Sequence, residues 1–313
     1  MTCHPARIEA ITPLTERIAE FQLSHASGEA WPAFEAGSHI RVTLPDGDTR
    51  AYSLIRFTHD TPGYRIAVQL EPEGQGGSRF MHDLKVGSDV SVTEAKNDFP
   101  LKSGAPAVLL AGGIGVTPLI SMAAALDAAG SPFEFHYAGR SAGFMAYRDA
   151  LAERFGGRFH LHLDDDASAL DLAGLIAGMA SDVHLYVCGP RGMIEAAKAQ
   201  AEAAGVASER IHFELFESAQ PQEGDSSFEV EVASSGEVFT VPPGKSIIEV
   251  LEEGGVDVMY DCQRGDCGIC QVDVLEGIPD HRDVVLSEAE RASGKVMQIC
   301  VSRAKSPRLK LDI

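Results

Sequence analysis

Three of the six cysteines in this 313-residue chain lie within nine residues, at Cys262, Cys267 and Cys270, and Cys300 follows after 29 more residues. The spacing C-x4-C-x2-C with a distant fourth cysteine is the plant-type ligand pattern of a [2Fe–2S] cluster. Three thiolates must converge on a dinuclear core from one wrapping loop, and two glycines inside the loop give it the necessary conformational freedom. The pattern therefore predicts that these four cysteines ligate a [2Fe–2S] cluster.

Two other uses of clustered thiols fit less well. Structural zinc sites usually combine two C-x2-C pairs or mix cysteine with histidine, whereas this segment has one C-x2-C and no second pair near it. Disulfides are disfavoured in a reducing compartment. We expect a cytoplasmic protein, because the N-terminus lacks the pattern of a signal peptide and no apolar run is long enough to cross a bilayer.

A glycine-rich turn, GGIGVTP at residues 112–118, lies between an apolar run and a helical pattern. At such a turn the pyrophosphate of a dinucleotide would meet the N-terminal amides of the helix. The motif is not G-x-G-x-x-G and is a weak indication by itself. Further along, Cys188-Gly189-Pro190 follows the apolar run HLYVC, where Cys188 could equally be a small buried core residue.

Two earlier segments could bind a phosphorylated cofactor. In RAYSL, at residues 50–54, a strand would point Arg50, Tyr52 and Leu54 to one side and Ser53 to the other. This edge could place a cation at a phosphate, a ring against an aromatic cofactor and a hydroxyl near its polar edge, although many strands have such a sequence. The segment EGQGGS, at 73–78, could offer amide N–H groups to a phosphate or form an ordinary hairpin loop.

The elements that must position these residues fall into three regions. Up to about residue 103, short runs separated by turn sequences predict an antiparallel β-barrel without a strong helix. From 104 to 216, strands alternate with helical runs, which predicts a doubly wound parallel α/β domain. The predicted barrel strands span residues 7–11, 18–23, 39–44, 50–55, 64–69 and 89–94.

The last third of the chain begins with a polar segment. Residues 217–227 contain proline and glycine without periodicity and are predicted to form an interdomain linker. Residues 228–313 combine a predicted hairpin, a short helix at 246–253 and two later strands around the cysteine segment. This order predicts a small α+β domain.

The net charge of −20 disfavours nucleic acid or an anionic membrane as a partner, because phosphate binding needs a basic surface. The charge fits a basic protein partner, and it fits solubility alone equally well. Residues 224–313 carry 17 Asp and Glu against 9 Lys and Arg. An acidic face on this region could therefore attract a basic docking surface.

With these motifs in this order, the chain resembles the phthalate dioxygenase reductase family, and residues 228–313 resemble a plant-type ferredoxin domain. RAYSL is similar to the family's flavin motif, GGIGVTP to its nucleotide motif and CGP to a motif beside the nicotinamide. The resemblance implies a multidomain protein with a flavin-binding barrel, an NAD domain and a ferredoxin domain, in that order. It also implies FMN rather than FAD, and NADH as the electron donor.

The resemblance further implies which residues contact each cofactor. The flavin is expected to contact Arg50, Tyr52, Ser53, Leu54, Gly76, Gly77, Ser78, Thr117 and Phe216. The nucleotide is expected to contact Gly113, Gly115, Pro118, Arg140, Ser141, Cys188, Gly189 and Pro190. Hydride transfer would occur near Ser53, Thr117 and Cys188.

Three of these positions leave alternatives open. Gln75 stands where the family commonly has an arginine, which removes one expected cation. Arg140 could accept a 2′-phosphate or stack on adenine, because no acidic residue that would bind a ribose diol follows the second strand. Phe216 could cover the flavin or belong to the core of the last strand.

The expected redox sequence needs positioning rather than acid–base chemistry. NADH gives electrons in pairs and a [2Fe–2S] cluster accepts them singly, so a flavin must stand between them. The sequence offers no catalytic triad or carboxylate pair. His160 and His162 alternate on a predicted strand with no partner cluster, and we expect them to be structural.

The chain is thus predicted to be an NAD(P)H-dependent iron–sulfur flavoprotein reductase. The resemblance implies that it delivers single electrons to a separate Rieske-type oxygenase by transient docking of its ferredoxin domain, and we expect a monomer. Alternative acceptors are a P450 or a dehydrogenase subunit. A non-enzymatic redox-sensing protein is the alternative of a different class.

Overall fold

The computed structural model describes residues 2–58, 63–72, 74, 76–216 and 222–313. The chain forms two compact units, Met1–Glu214 and Leu215–Ile313. The first unit contains a six-stranded and a five-stranded sheet, and the second contains a five-stranded sheet and a short strand pair. Among the described residues, no helix combines the length and the apolar character needed to span a membrane.

The first sheet is antiparallel, with strand order β4-β3-β6-β1-β2-β5. Its two edges meet where the main-chain N–H of Ile55, just after β4, donates to the carbonyl oxygen of Arg65 on β5 (2.8 Å), which closes the sheet into a barrel. The six predicted strands are all present. Their bounds are β1 Cys3–Pro13, β2 Ile18–His25, β3 His39–Thr43, β4 Thr49–Ser53, β5 Tyr64–Gln69 and β6 Asp89–Thr93.

The barrel interior follows from the alternation of apolar residues along its strands. Tyr64, Ile66 and Val68 of β5 all point inward and are buried. The ring of Trp31 stacks on Tyr64, with centroids 4.5 Å apart. No strong helix was expected in this region, and the short helix α1 (Gly77–Asp83), which was not predicted, packs its buried Met81 into the barrel core.

The second sheet is parallel, with strand order β9-β8-β7-β10-β11. The chain builds outward from β7 on one side, then returns and builds outward on the other, so the direction of winding changes between β7 and β10. This is the predicted doubly wound arrangement. The elements are β7 Ala107–Gly112, α2 Val116–Ala129, β8 Phe133–Gly139, α3 Arg148–Phe155, β9 Phe159–Leu163, α4 Leu172–Ala177, β10 His184–Cys188, α5 Arg191–Ala203 and β11 Ile211–Glu214.

Helix α3 begins later than the apolar pattern indicated. The run FMAYRDALAERF starts at Phe144, but Tyr147 has a left-handed backbone (φ 62°) and stands just before the helix. The Tyr147 hydroxyl donates to the carboxylate of Glu20 on β2 (2.7 Å), which fixes this residue in place. A tertiary contact therefore determines where the helix starts.

The second unit has strand order β13-β12-β18-β14-β16. Helix α6 begins at a capping box between Ser246 and Glu249, and its residues Ile247, Ile248 and Leu251 are buried against the sheet. The predicted hairpin, helix and two later strands (β14 and β18) are present, whereas α7, β16 and the β15–β17 pair were not expected. The bounds are β12 Phe228–Val232, β13 Val238–Val241, α6 Ile247–Glu253, β14 Gln271–Glu276, β15 Pro279–Asp280, α7 Glu288–Ser293, β16 Val296–Gln298, β17 Arg303–Ala304 and β18 Arg308–Leu311.

Part of the predicted linker is packed into this second unit. Residues 217–221 lie outside the described residues. Asp225 accepts two hydrogen bonds from the guanidinium of Arg282 (2.5 and 3.0 Å), and Arg303 lies 3.8 Å away. These cations lower the pKa of Asp225 to about 2, the hydrogen bond from Arg282 being the main cause.

Candidate cluster, flavin and nucleotide sites

The four cysteines predicted as ligands come together in the second unit. Cys262, Cys270 and Cys300 are buried and Cys267 is half-buried. The Cys262 thiol interacts with those of Cys267 and Cys300, and the Cys300 thiol also interacts with that of Cys270. Hydrogen bonds from these neighbours lower the pKa of Cys262, which favours the thiolate, the form that ligates iron. Four converging thiols fit a [2Fe–2S] cluster.

The loop that carries three of these cysteines needs its glycines. Gly265 has φ +81°, and a Cβ atom there would lie 2.7 Å from the Val301 side chain and 2.9 Å from the main chain of Asp283. No other residue fits this close approach. Cys300 comes from the segment that follows β16, so the fourth thiol is positioned by the sheet rather than by the loop.

Two polar residues near the cysteines were not identified from the sequence. The side-chain amide of Gln298, which is fully buried, lies 3.4 Å from Cys270 Sγ and donates to Gln271 (3.0 Å). The carboxylate of Asp266 accepts a hydrogen bond from the main-chain N–H of Leu215 (2.9 Å), and burial raises its pKa to about 7. Only their position beside the cysteine motif could have indicated them.

In the first unit, the RAYSL segment forms β4 and the residue after it. Ser53 is 5% exposed, and its hydroxyl is without a hydrogen-bond partner among the residues that the structure describes. Leu54 is buried, and burial raises the pKa of the half-buried Tyr52 to about 12. A buried hydroxyl without a partner costs free energy unless a ligand satisfies it, so this strand fits the polar edge of a flavin.

The glycine-rich segment that follows β5 begins a helix rather than a hairpin loop. Gly76 has φ +90° and precedes α1, and Gly77 is the first residue of that helix. A Cβ atom on Gly77 would lie 2.6 Å from Arg50 Cγ, so the start of α1 packs against the arginine side chain. The structure thus brings together the Arg50 cation and the N-terminus of α1, both of which were predicted to contact the same phosphate.

Two details of this segment qualify the prediction. The Ser78 hydroxyl accepts a hydrogen bond from the main-chain N–H of Glu71 (3.0 Å) and is therefore already engaged with the chain. The Arg50 guanidinium donates to Asp48 (2.6 Å) and to the Thr49 carbonyl oxygen (2.9 Å). Glu73 and Gln75 lie outside the described residues, and Gln75 is the position at which the resembled family commonly has an arginine.

The two nucleotide motifs lie side by side at the carboxyl ends of β7 and β10. Ala111 and Cys188 are register partners on these parallel strands. A Cβ atom on Gly115 would lie 2.2 Å from the carbonyl oxygen of Cys188, and one on Gly189 would lie 3.0 Å from Gly112 Cα. The glycines therefore allow the loops to pack at the switch point, where dinucleotides bind in folds of this type.

The remaining nucleotide candidates surround this point. Thr117 and Pro118 are buried in the first turn of α2, and the Thr117 hydroxyl donates to the Ile114 carbonyl oxygen (3.1 Å). Arg140 is exposed and Ser141 half-buried, directly after β8. Phe216 is half-buried and belongs to the second unit, so its proposed cover over the flavin stays a prediction.

One connecting residue was missed. Ser121, in α2, is 2% exposed; its hydroxyl donates to the carbonyl oxygen of Leu54 (2.8 Å) and accepts from the N–H of Arg56 (2.9 Å). This links the helix of the nucleotide motif to the strand of the flavin motif. A single serine in the otherwise apolar run LISMAAAL was the available signal.

Comparisons with known proteins found a matching family and several reductases similar to this chain. Residues 230–305 match the family of 2Fe-2S iron-sulfur cluster binding domains. The chain is 45% identical to the tetrachlorobenzoquinone reductase of Sphingobium chlorophenolicum, over 98% of this chain and 97% of that one. It is 39% identical to the carnitine monooxygenase reductase subunit of Escherichia coli (strain K12), over 98% of this chain and 97% of that one.

Solved structures also match nearly the whole chain. Phthalate dioxygenase reductase aligns with a TM-score of 0.74 and 34% identity, covering 99% of this chain and 98% of that one. Full-length CYP116B46 from Tepidiphilus thermophilus aligns with a TM-score of 0.77 and 34% identity over 99% of this chain. This chain spans only 42% of that longer protein.

Proposed function

Because this chain belongs to the phthalate dioxygenase reductase family, we propose that it carries electrons from NADH through FMN and a [2Fe–2S] cluster to a separate Rieske-type oxygenase. The chain is an oxidoreductase, and its relatives include reductase components of oxygenase systems. The single observation that carries the proposal is the convergence of four thiols, three from one loop and the fourth from the segment after β16, on a chain that also bears paired nucleotide loops.

The residues of this chain act by positioning. When bound, FMN accepts an electron pair as hydride and releases the electrons singly, which matches a one-electron cluster. Gly115 and Gly189 keep the two nucleotide loops close, and Ser121 holds the flavin strand against α2. We assign Ser53, Thr117 and Cys188 to the neighbourhood of the reacting atoms, where no acid or base is required.

The further contacts are also proposals. Arg50 supplies a cation toward the flavin phosphate beside Gly76, Gly77 and Ser78, and Tyr52 and Leu54 pack against the ring system. Gly113, Pro118, Ser141, Gly189 and Pro190 line the dinucleotide, and Arg140 contacts its adenosine end. Phe216 covers the flavin. The cluster ligands are Cys262, Cys267, Cys270 and Cys300.

The partner docks, in our proposal, on the ferredoxin domain near the cysteine loop. Met259 and Ile269 within this loop are 78% and 43% exposed, which is unusual for large apolar side chains. The domain carries the acidic excess noted above, and Asp257 is exposed beside Met259. An apolar centre with an acidic rim fits a transient partner with a basic rim. We propose that the reductase itself is a monomer.

A different acceptor is the second candidate. The matches to CYP116B46 and to an intact self-sufficient cytochrome P450 monooxygenase show that a chain of this fold can be part of a longer protein. The name of the 45% identical relative describes reduction of a quinone. A haem protein or a quinone is therefore the alternative destination of the electrons.

A visible spectrum of the purified protein tests the proposal. We expect flavin and iron–sulfur absorption bands that bleach when NADH is added without oxygen. A colourless, zinc-containing protein would contradict the proposal. Adding a purified Rieske oxygenase, a P450 or a quinone to the reduced protein, and following reoxidation, then separates the acceptors.

A further inference from the structure

A cluster of one glutamate and three histidines lies on one face of the parallel sheet. Glu134 and His136 alternate on β8, and His160 and His162 alternate on β9. His136 and His160 are register partners, so all four side chains point to the same side of the sheet. The expectation that His160 and His162 have no partner cluster was wrong, because the partners come from the neighbouring strand.

Glu134, His136 and His162 form a row of polar contacts that ends at the main-chain carbonyl oxygen of Ser168. His136 Nε2 lies 3.3 Å from a carboxylate oxygen of Glu134, and His136 Nδ1 lies 3.0 Å from His162 Nε2. His162 Nδ1 lies 3.0 Å from the carbonyl oxygen of Ser168. The carboxylate at one end and the carbonyl at the other can only accept hydrogen bonds.

This row of three contacts lacks one hydrogen when both imidazoles are neutral. Each neutral imidazole has one N–H group, so two protons serve three contacts. Whichever tautomers the two imidazoles adopt, one of the three contacts is therefore left without a hydrogen. When that contact is the one between His136 Nε2 and Glu134, a lone pair faces the carboxylate, and a metal ion bound by both atoms resolves it.

His136 is buried within this group of side chains, with 8% of its surface exposed. The ring of His160 stacks on that of His136, with centroids 4.7 Å apart. The two imidazoles and the Glu134 carboxylate are thus held close together.

We propose that Glu134, His136 and His160 bind a transition-metal dication, with zinc as the best match. One ligand atom from each residue lies within 4.8 Å of the other two. Tetrahedral zinc with bonds of about 2.1 Å needs ligand atoms about 3.4 Å apart. Glu134 is exposed and His160 half-buried, so both side chains can rotate to close this difference. Two imidazoles and one carboxylate suit zinc, nickel or copper better than magnesium or calcium.

His162 has a supporting role in this site. Its contact with His136 Nδ1 (3.0 Å) holds the His136 ring in the orientation that directs Nε2 toward Glu134. Partners of this kind commonly orient metal-binding histidines and affect affinity strongly. His162 is therefore a positioning residue, whereas the other three supply the ligand atoms.

The site lies away from the nucleotide motifs. Glu134 and His136 occupy the first half of β8, while the glycine loops follow the carboxyl ends of β7 and β10. The metal would connect the edge strand β9 to β8. We therefore expect metal binding to raise the stability of the protein rather than to take part in hydride transfer, and this inference does not depend on the proposed acceptor.

The test is a calorimetric titration of zinc into the tag-free, cluster-loaded protein, with the visible spectrum monitored to show that the cluster remains intact. We expect one zinc ion per chain, and binding at least about tenfold weaker in Glu134→Gln and in His160→Ala. Glu134 is exposed, so its amide variant should fold normally. The melting temperature of the unmodified chain should rise with zinc concentration, as ligand binding to the folded state requires.

His212→Ala provides the matched control. His184 and His212 form a similar stacked pair on the same sheet, with Nδ1 and Nε2 2.9 Å apart, and no carboxylate completes a ligand group with them among the described residues. Zinc binding should be unchanged in this variant. Absence of stoichiometric zinc binding, or binding that is equally strong in Glu134→Gln and His160→Ala, would overturn the proposal.

Discussion

The hydroxyl of Ser121 donates a hydrogen bond of 2.8 Å to the main-chain carbonyl oxygen of Leu54, and so fixes helix α2 to the end of strand β4. The same hydroxyl accepts from the N–H of Arg56, two residues further along. The residues proposed to hold the nucleotide and those proposed to hold the flavin thus share one buried connection. Hydride transfer depends on the distance between two bound rings, so this connection bears directly on the rate.

Replacing Ser121 with alanine should therefore weaken both stability and turnover. The substitution leaves a buried carbonyl oxygen and a main-chain N–H without their partner, and we expect the free energy of unfolding to fall by about 1–3 kcal/mol. Denaturant unfolding measures the stability, and stopped-flow reduction of the flavin by NADH measures hydride transfer. Ser131→Ala, just beyond the same helix, is the control. Unchanged unfolding and flavin reduction in Ser121→Ala would contradict the assignment.

A side chain at Gly115 should disturb the nucleotide loops selectively. In Gly115→Ala the new Cβ atom would lie 2.2 Å from the Cys188 carbonyl oxygen, so the two loops must move apart. We expect the KM for NADH to rise about tenfold or more, with normal cluster absorption. Gly192→Ala is the matched control, because a Cβ atom there meets nothing within 4 Å. Equal kinetics in the two variants would show that the loop contact is unimportant.

Removing the thiol of Cys300 should impair electron transfer to the acceptor and leave flavin reduction unchanged. Cys300→Ser should lack most of the cluster absorption and should reduce a one-electron protein acceptor about tenfold more slowly or worse. Reduction of the flavin by NADH should change little, because Cys300 belongs to the second unit and the substitution alters no residue of the first unit. Cys3→Ser, which removes an exposed thiol, should behave like the unmodified protein. Normal absorption in Cys300→Ser would rule out this cysteine as a ligand.

Asp225 should make the stability of the protein depend on acid pH. Its pKa of about 2 lies below the ordinary 3.8, so its contribution is fully present above about pH 4 and is lost as the pH falls through 2. Asp225→Asn should lower the free energy of unfolding by about 1–2 kcal/mol at neutral pH and should reduce the loss between pH 4 and pH 2. Thermal unfolding of the full chain measures both effects.

Asp257→Asn is the comparison for this experiment, because Asp257 is exposed. It should show the same acid-induced loss as the unmodified chain. If Asp225→Asn also retained the full loss, the ion pair with Arg282 would not be responsible.

Salt should slow the last electron transfer and leave the first unchanged. The acidic excess of residues 224–313 favours encounter with a basic partner at low ionic strength, and salt screens this attraction. Raising the salt concentration from about 10 mM to 200 mM should reduce the rate of electron transfer to the oxygenase severalfold or more. Flavin reduction by NADH, measured in the same buffers, is the reference. An equal effect on both steps would argue against electrostatic docking.

The sequence predicted the parts of this molecule whose signals are local. The cysteine spacing, the alternation along β5 and the strand–helix alternation after residue 104 each depend on a short segment, and each structure formed as expected. Helix α1 was missed because three glycines and a polar start conceal a two-turn helix that is stabilised by the burial of Met81. Its stability comes from the barrel core rather than from helix propensity.

What could not be predicted depends on contacts between distant segments. The start of α3 is determined by the bond between Tyr147 and Glu20, which are 127 residues apart in the sequence. The cluster of Glu134, His136 and His160 requires the register between β8 and β9, which no single strand contains. Pairwise geometry of this kind becomes visible only when the strands are assembled.

The strand order of the second unit has a consequence for how the protein is made. Strand β18 lies at the centre of the sheet, between β12 and β14, yet the ribosome synthesises it after the other four strands. Until Arg308–Leu311 has left the exit tunnel, β12 and β14 have no common neighbour, and the sheet that supports Cys300 is in two parts. We therefore expect the iron–sulfur centre to be inserted only after translation of this region is complete.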